Sequence, residues 1–187
     1  MVKNSALGNI LLGVLSVSVI VLCLGAAYKT QVPEPQKHAK GGKRMKLVSP
    51  EFKNREYIPG KFSCEGKDVN PALVIGNIPA GAKSLALILD DPDAPSGTFV
   101  HWVLYDIAVS TLIAENSTPG TRGINSAGEL GYSGPCPPPG KPHRYFFKIY
   151  ALKSHLGLPE GADKDGLEKA MKDKIIGSAE LIGLYKR

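Results

Sequence analysis

The chain has 187 residues, of which 43% are hydrophobic and 21% charged, enough to build one folded domain with an appendage. Its 21 Gly and 15 Pro weigh against a helical bundle and favour a turn-rich β or α+β body. The net charge of +6 resides wholly in residues 1–46, where Lys3, Lys29, Lys37, Lys40, Lys43, Arg44 and Lys46 face the single acid Glu34, while the other 141 residues carry 16 basic and 16 acidic side chains, so the body lacks the basic excess that a nucleic-acid surface requires.

From Ile10 to Ala27 the sequence ILLGVLSVSVIVLCLGAA holds no charge over 18 residues. That is near the roughly 20 residues of a bilayer crossing and longer than the apolar region of about 7–15 in a signal peptide. Residues 1–27 are therefore expected to be a transmembrane anchor or a signal peptide, and Gly25-Ala26-Ala27 would allow cleavage. Residues 28–46 read as a basic flexible linker broken by Pro33, Pro35 and Gly41-Gly42. The basic residues after the apolar run favour a cytoplasmic body by the positive-inside rule, whereas a secretory reading takes Lys3 as the n-region. The expectation adopted is a body outside the membrane, anchored or exported to the cell envelope, with its basic stalk free to lie against anionic headgroups.

Residues 47–187 form the expected domain. Leu73–Ile75 and Ser84–Leu89 read as strands, the second apolar throughout and so buried on both faces. Phe99–Ile107 and Arg144–Leu152 follow as strands, with Ser110–Leu130 a long polar connection between them. Asp163–Ile176 reads as the one helix, with Leu167, Ala170, Met171, Lys174 and Ile175 along its apolar stripe. Ala179–Tyr185 reads as a closing strand.

The residues that could carry chemistry lie between Asp91 and Tyr145. Strand alternation places Tyr145 on one face with Phe147 and His143, and turns Arg144 the other way. It places His101 with Phe99 and Val103. Two histidines, a tyrosine hydroxyl and the N–H groups of the loop Gly131-Tyr132-Ser133-Gly134-Pro135-Cys136 are hydrogen-bond donors able to hold a phosphate or carboxylate. Asp91 would orient one imidazole, leaving the opposite nitrogen to the ligand. Pro135 and Pro137–Pro139 stiffen the loop, so the pocket should be preformed.

Catalytic and metal patterns fit less well. A nucleophile elbow needs G-x-S-x-G opening a helix, but Gly131-Tyr132-Ser133-Gly134 brings its second glycine one place early and runs into prolines. Pro95 stands where a calcium loop after Asp91 and Asp93 needs an oxygen ligand. Zinc on His101, His143, Cys64 and Cys136 is chemically permitted but lacks a short ligand pair. Cys64 and Cys136 are either a disulfide in an exported domain or two small thiols in a reducing compartment. No metal or cofactor is expected.

Asp91-Pro92-Asp93-Ala94-Pro95, the His101 strand, Gly134-Pro135 and His143-Arg144-Tyr145 closely resemble the phosphatidylethanolamine-binding protein family, which includes the Raf kinase inhibitor protein and the plant flowering regulators. Phe62-Ser63-Cys64-Glu65-Gly66 and Asn70-Pro71 resemble its bacterial and archaeal branch. The resemblance spans about residues 45–187. It implies a β-sandwich of antiparallel sheets with a peripheral C-terminal helix. It also implies an anion pocket lined by Asp91, His101, Gly134, Pro135, His143 and Tyr145, and a cis peptide at Ala94–Pro95. The expected function is non-catalytic binding of a phosphate- or carboxylate-bearing ligand such as a phospholipid headgroup. The alternatives are a protease or kinase inhibitor acting through its surface and a weak phosphoester or acyl hydrolase using His101 or His143 as base. No nucleic-acid partner is expected.

Overall fold

The computed structural model describes residues 44–187. The apolar run 10–27, Cys23 and nearly all of the linker lie outside the described residues. Among the described residues no helix is long and apolar enough to cross a membrane.

The described chain alternates short strands with turns. In order it forms β1 (Lys46–Val48), a 3₁₀ turn (Gly60–Phe62), β2 (Leu73–Gly76), β3 (Ser84–Asp91) and β4 (Phe99–Ile107). There follow β5 (Leu112–Ile113), β6 (Thr121–Arg122), β7 (His143–Leu152), α1 (Lys164–Met171) and β8 (Ile175–Tyr185). All strand pairings within the two sheets are antiparallel. The small sheet has the order β1-β2-β5 and the large one β6-β4-β3-β7-β8.

The sandwich follows from the alternation of side chains on β3. Leu85, Leu87 and Leu89 face inward, where they meet Leu47, Leu73, Ile75 and Ile113 of the small sheet and Phe147 and Ile149 of β7. Ala86 and Ile88 face the other way, onto Val103, Tyr105, Leu152 and the helix residues Leu167 and Met171. Leu85–Leu89 are buried on both faces, as the apolar run predicts, and Ser84, Asp90 and Asp91 are buried with them.

Several sequence expectations change in detail. The helix ends at Met171 rather than Ile176, because Ile175 and Ile176 already belong to β8 and pair toward β7. Asp163 caps it by accepting the Gly166 N–H at 2.8 Å. The connection 110–130 carries two two-residue strands, β5 and β6, too short for periodicity to mark. Strand β1 begins at Lys46, one residue inside the segment read as linker. Every described peptide bond is trans, so the cis peptide implied at Ala94–Pro95 is absent.

Cys64 and Cys136 are joined as a disulfide across a sequence separation of 72 residues. Closing a loop of that length removes chain entropy from the unfolded state, for a stabilisation of about 4 kcal/mol in the entropic account and typically about 2–4 kcal/mol in practice. A Cys64→Ser/Cys136→Ser chain should lose stability in that range in urea melts, and reductant should produce the same loss in the parent protein. A shift below about 0.5 kcal/mol would mean that the bridge constrains little.

Candidate functional site

Two consecutive acids end β3, and alternation sends them to opposite faces of the large sheet. Asp91 takes the inner face, with the same parity as Leu87 and Leu89. Its Oδ2 is 2.7 Å from Nδ1 of His143, and its Oδ1 accepts the N–H of Asp93 at 2.8 Å. Asp93 in turn accepts three bonds from Arg144, from the backbone N–H, Nε and the terminal guanidinium nitrogen, at 3.0, 2.8 and 2.6 Å. Asp-x-Asp and His-Arg thus form a double clasp that joins the end of β3 to the start of β7. The Arg144 guanidinium holds the Asp93 carboxyl below its usual range.

His101 reaches the same face by an irregularity. Leu89 pairs with Trp102 but Asp90 pairs with Val100, so His101 is the extra residue of a β-bulge. Trp102 and Leu104 lie in the inner core, while Val100 and Val103 pack on the outer one. The bulge breaks the alternation between these sets and turns His101 inward beside Phe99, with ring centroids 4.7 Å apart. His101 therefore shares a face with Phe99, as expected, but not with Val103. The His101 and Tyr145 rings meet edge-on at 5.2 Å.

The Gly-Pro loop supports this group from outside. Nδ1 of His101 lies 2.8 Å from the Ser133 carbonyl, and the Ser133 N–H donates back to the His101 carbonyl at 3.0 Å. Since a carbonyl only accepts, Nδ1 carries the hydrogen. The Gly134 N–H donates to Asp68 Oδ1 at 2.6 Å, the Tyr132 hydroxyl donates to the Phe62 carbonyl at 2.7 Å, and the Cys64 N–H donates to the Pro135 carbonyl. With the disulfide, these bonds fix residues 132–136 onto residues 62–68.

This corrects the expected source of donors. The N–H groups of Ser133 and Gly134 are already spent inside the protein, and Pro135, Pro137, Pro138 and Pro139 have none. Gly134 and Pro135 shape the site rather than offering N–H groups. Donation falls instead to side chains. The Tyr145 hydroxyl is buried and makes no hydrogen bond of ordinary length, its nearest polar neighbour being Asp91, which acts on it by charge and by a weak, long hydrogen bond. Burial first, then Asp91, pushes the Tyr145 phenol far above its usual range, so it stays a neutral O–H donor. The indole N–H of Trp102, on the same face, is unpartnered.

Asp91, His101 and His143 are only 3%, 5% and 8% exposed, so little solvent reaches these side chains. Beside them lies a cleft of about 440 Å³ lined by residues 94–99 and Ser126, which adjoins the site through Phe99. The disulfide removes both thiolates from the zinc ligand set considered above, and among the described residues no cluster of three metal-binding side chains occurs. Sequence reasoning missed Asp68, Trp102 and the Asp93–Arg144 clasp. The clasp alone was signalled, by the spacing Asp-x-Asp opposite His-Arg.

A family model described as phosphatidylethanolamine-binding protein matches residues 48–186. A UPF0098 protein of Aquifex aeolicus is 48% identical over 156 residues, covering 79% of this chain and 91% of its own. One from Pyrococcus abyssi is 47% identical over 157 residues, covering 79% of this chain and 88% of its own. Among solved structures, the phosphatidylethanolamine-binding protein homologue CT736 from Chlamydia trachomatis superimposes with a TM-score of 0.74 at 41% identity, covering 77% of this chain and 98% of that one. Escherichia coli YbcL, described as a member of the mammalian family, gives 0.72 at 28% identity, covering 78% of this chain and 99% of that one.

Proposed function

The chain belongs to the phosphatidylethanolamine-binding protein family, and from that premise we propose that it is a non-catalytic ligand-binding protein whose site at Asp91, His101, His143 and Tyr145 takes a small anion, a phosphate or carboxylate group of the headgroup type. The carrying observation is the Tyr145 hydroxyl, buried beside the Asp91–His143 pair without a hydrogen bond of ordinary length. A buried donor without a good partner costs about 1–3 kcal/mol, and a fold retains such a cost where a ligand supplies the missing acceptor. His143, held by Asp91 at Nδ1, keeps Nε2 for the same ligand. The uncharged run 10–27 favours an anchored or exported protein, and as an anchor it would set this site at a membrane.

Calorimetry with inorganic phosphate tests the assignment. Tyr145→Phe should weaken binding at least tenfold while leaving stability equal or higher by about 1 kcal/mol, because it deletes a poorly paired hydroxyl. His143→Ala should abolish binding with the fold intact. Unchanged phosphate affinity in both variants would remove the pocket from these residues.

A hydrolytic reading has one observation in its favour, since Asp91–His143 is the base-with-orienter pair that ester hydrolysis uses. Among the described residues, no serine hydroxyl or free thiol is hydrogen-bonded to that imidazole. Turnover of a panel of small esters, lost in His143→Ala, would establish it.

A further inference from the structure

The small sheet covers the core with one face and leaves the other bare. Leu47, Leu73, Ile75 and Ile113 point into the sandwich, so alternation sends Lys46, Val48, Val74, Gly76 and Leu112 outward. A sheet face turned to water is ordinarily polar. Here Val48 pairs with Val74 and Val74 with Leu112, giving a row of three apolar side chains about 10 Å wide. They are 50%, 40% and 50% exposed, and make up three of the six large hydrophobic residues exposed among the described residues. An apolar residue exposed singly is ordinary, whereas a contiguous row marks a contact surface.

Positive charge borders the row. Arg44 and Lys46 are exposed on either side of the buried Met45, so they share the outward face with Val48. The Arg44 carbonyl accepts from Asn77 Nδ2 at 2.9 Å, which ties the entry of β1 to the turn after β2. No outward position of β1, β2 or β5 holds an acid. Upstream the sequence adds Lys37, Lys40 and Lys43, and residues 35–46 contain no Asp or Glu. The chain thus enters the domain along this face, with five cations leading into the apolar row.

We propose that the outer face of the small sheet docks on an anionic lipid bilayer, with the Val48–Val74–Leu112 row at the headgroup boundary and the cations of residues 37–46 on the negative surface. Such a bilayer supplies both an apolar layer and negative charge. A second copy of the chain would set Arg44 and Lys46 against the same two cations, with no acid on the face to receive them. The linker is no better an occupant, because its charge has the same sign. The 18 residues between Ala27 and Lys46 reach no further than about 60 Å when fully extended, so an anchor at 10–27 keeps this face beside the bilayer. Cleavage at Ala27 would leave all five cations attached to the body, so an exported form keeps the same signals. The contact draws on neither Asp91 nor His143.

The test places a tryptophan in the row. Trp102, the one tryptophan of the chain, is fully buried and gives a constant background. Full-length Leu112→Trp is reconstituted into vesicles of phosphatidylcholine, alone or mixed with phosphatidylglycerol, and its emission is read with and without brominated lipid. The expected result is a blue shift and about twofold or greater quenching with phosphatidylglycerol, and neither with phosphatidylcholine alone. Salt at about 1 M, which screens charges within roughly 3 Å, should reverse both effects. Adding Arg44→Glu/Lys46→Glu to the reporter chain should reverse them at low salt. Tyr57→Trp, at a position 53% exposed beside β8, should stay unquenched throughout. His143→Ala in the reporter chain should leave the quenching unchanged. Its loss there would give the lipid contact to the anion site and overturn the docking face. Equal emission in the two kinds of vesicle, or equal quenching at positions 57 and 112, would overturn it too. A blue shift that needs no vesicle and grows with protein concentration would give the face to a second copy instead. Val74→Trp makes the same measurement should Leu112→Trp fail to fold.

Discussion

Gly134→Ala is expected to destabilise the protein by about 4 kcal/mol or more and to abolish anion binding, read as a urea midpoint shift and a flat calorimetric trace. A Cβ at this position would stand 2.4 Å from the Phe62 carbonyl oxygen, 2.6 Å from Asp68 Oδ1 and 2.9 Å from the Ser63 Cα. Two of these three neighbours are backbone, and Phe62 and Ser63 are both buried, so little can yield. Relief requires lifting the loop away from residues 62–68. That breaks the Gly134–Asp68 hydrogen bond and strains the Cys64 N–H bond to Pro135. It also withdraws the Ser133 carbonyl that fixes His101. Overpacking alone costs about 1–3 kcal/mol, and each buried hydrogen bond broken adds about 1 kcal/mol. Gly140→Ala, in the same loop, has no atom within 4 Å of the new Cβ, though its φ of +144° carries a backbone cost. It should be the milder change and keep binding. If Gly134→Ala binds phosphate normally, the loop is not the support described here.

Much of this site is legible in the sequence because its residues sit where local rules are strong. The run Ser84–Leu89 has no polar interruption, and a strand with two apolar faces can only be central. Phe99–Ile107 was bounded by turn residues and matches β4 at both ends. His143, Tyr145 and Phe147 share a face because β7 is regular along its length. The strand β4 is not regular, and there the reading failed in part. No residue type near His101 announces a bulge, since the extra residue is created by the pairing register with β3 and not by local propensity. The same limit explains the loop. That glycine and proline would shape it was readable, but that the Gly134 N–H would be taken by Asp68, 66 residues away, was not. Strand β1 and the two-residue β5 and β6 fall below the length at which alternation carries information.

The outer face of β3 carries the second large effect. Asp90, adjacent to the site residue Asp91, is 2% exposed and is gripped from two elements. Lys148 of β7 reaches both its oxygens at 3.0 Å, and Lys164, the first residue of α1, reaches Oδ2 at 2.7 Å. These three residues, with Phe146, Pro92, Thr98 and Glu180, border a cleft of about 260 Å³ on the face opposite the anion site. Removing both lysines in Lys148→Ala/Lys164→Ala takes both cations from a carboxylate that is 2% exposed with them in place, and although the cleft then admits some water the loss should be about 3 kcal/mol. Removing the acid instead is less costly. The lysine side chains are 27% and 21% exposed and can turn to water, with Glu168 3.9 Å from Lys164 and Glu180 paired across from Lys148. Asp90→Ala should therefore cost clearly less than the double lysine variant, and adding it to that variant should recover stability. Urea melts of the three proteins check the order. A double lysine variant within about 1 kcal/mol of the parent would show that Asp90 is solvated after all. The order matters for function because Asp90 and Asp91 share one peptide unit at the end of β3. When the outer clasp is lost, the end of β3 keeps its ladder to β4 and β7 but only the inner side-chain tie, and the backbone from which Asp91 aims His143 is less firmly fixed. Phosphate affinity should then fall in the double lysine variant, although neither lysine touches the anion site.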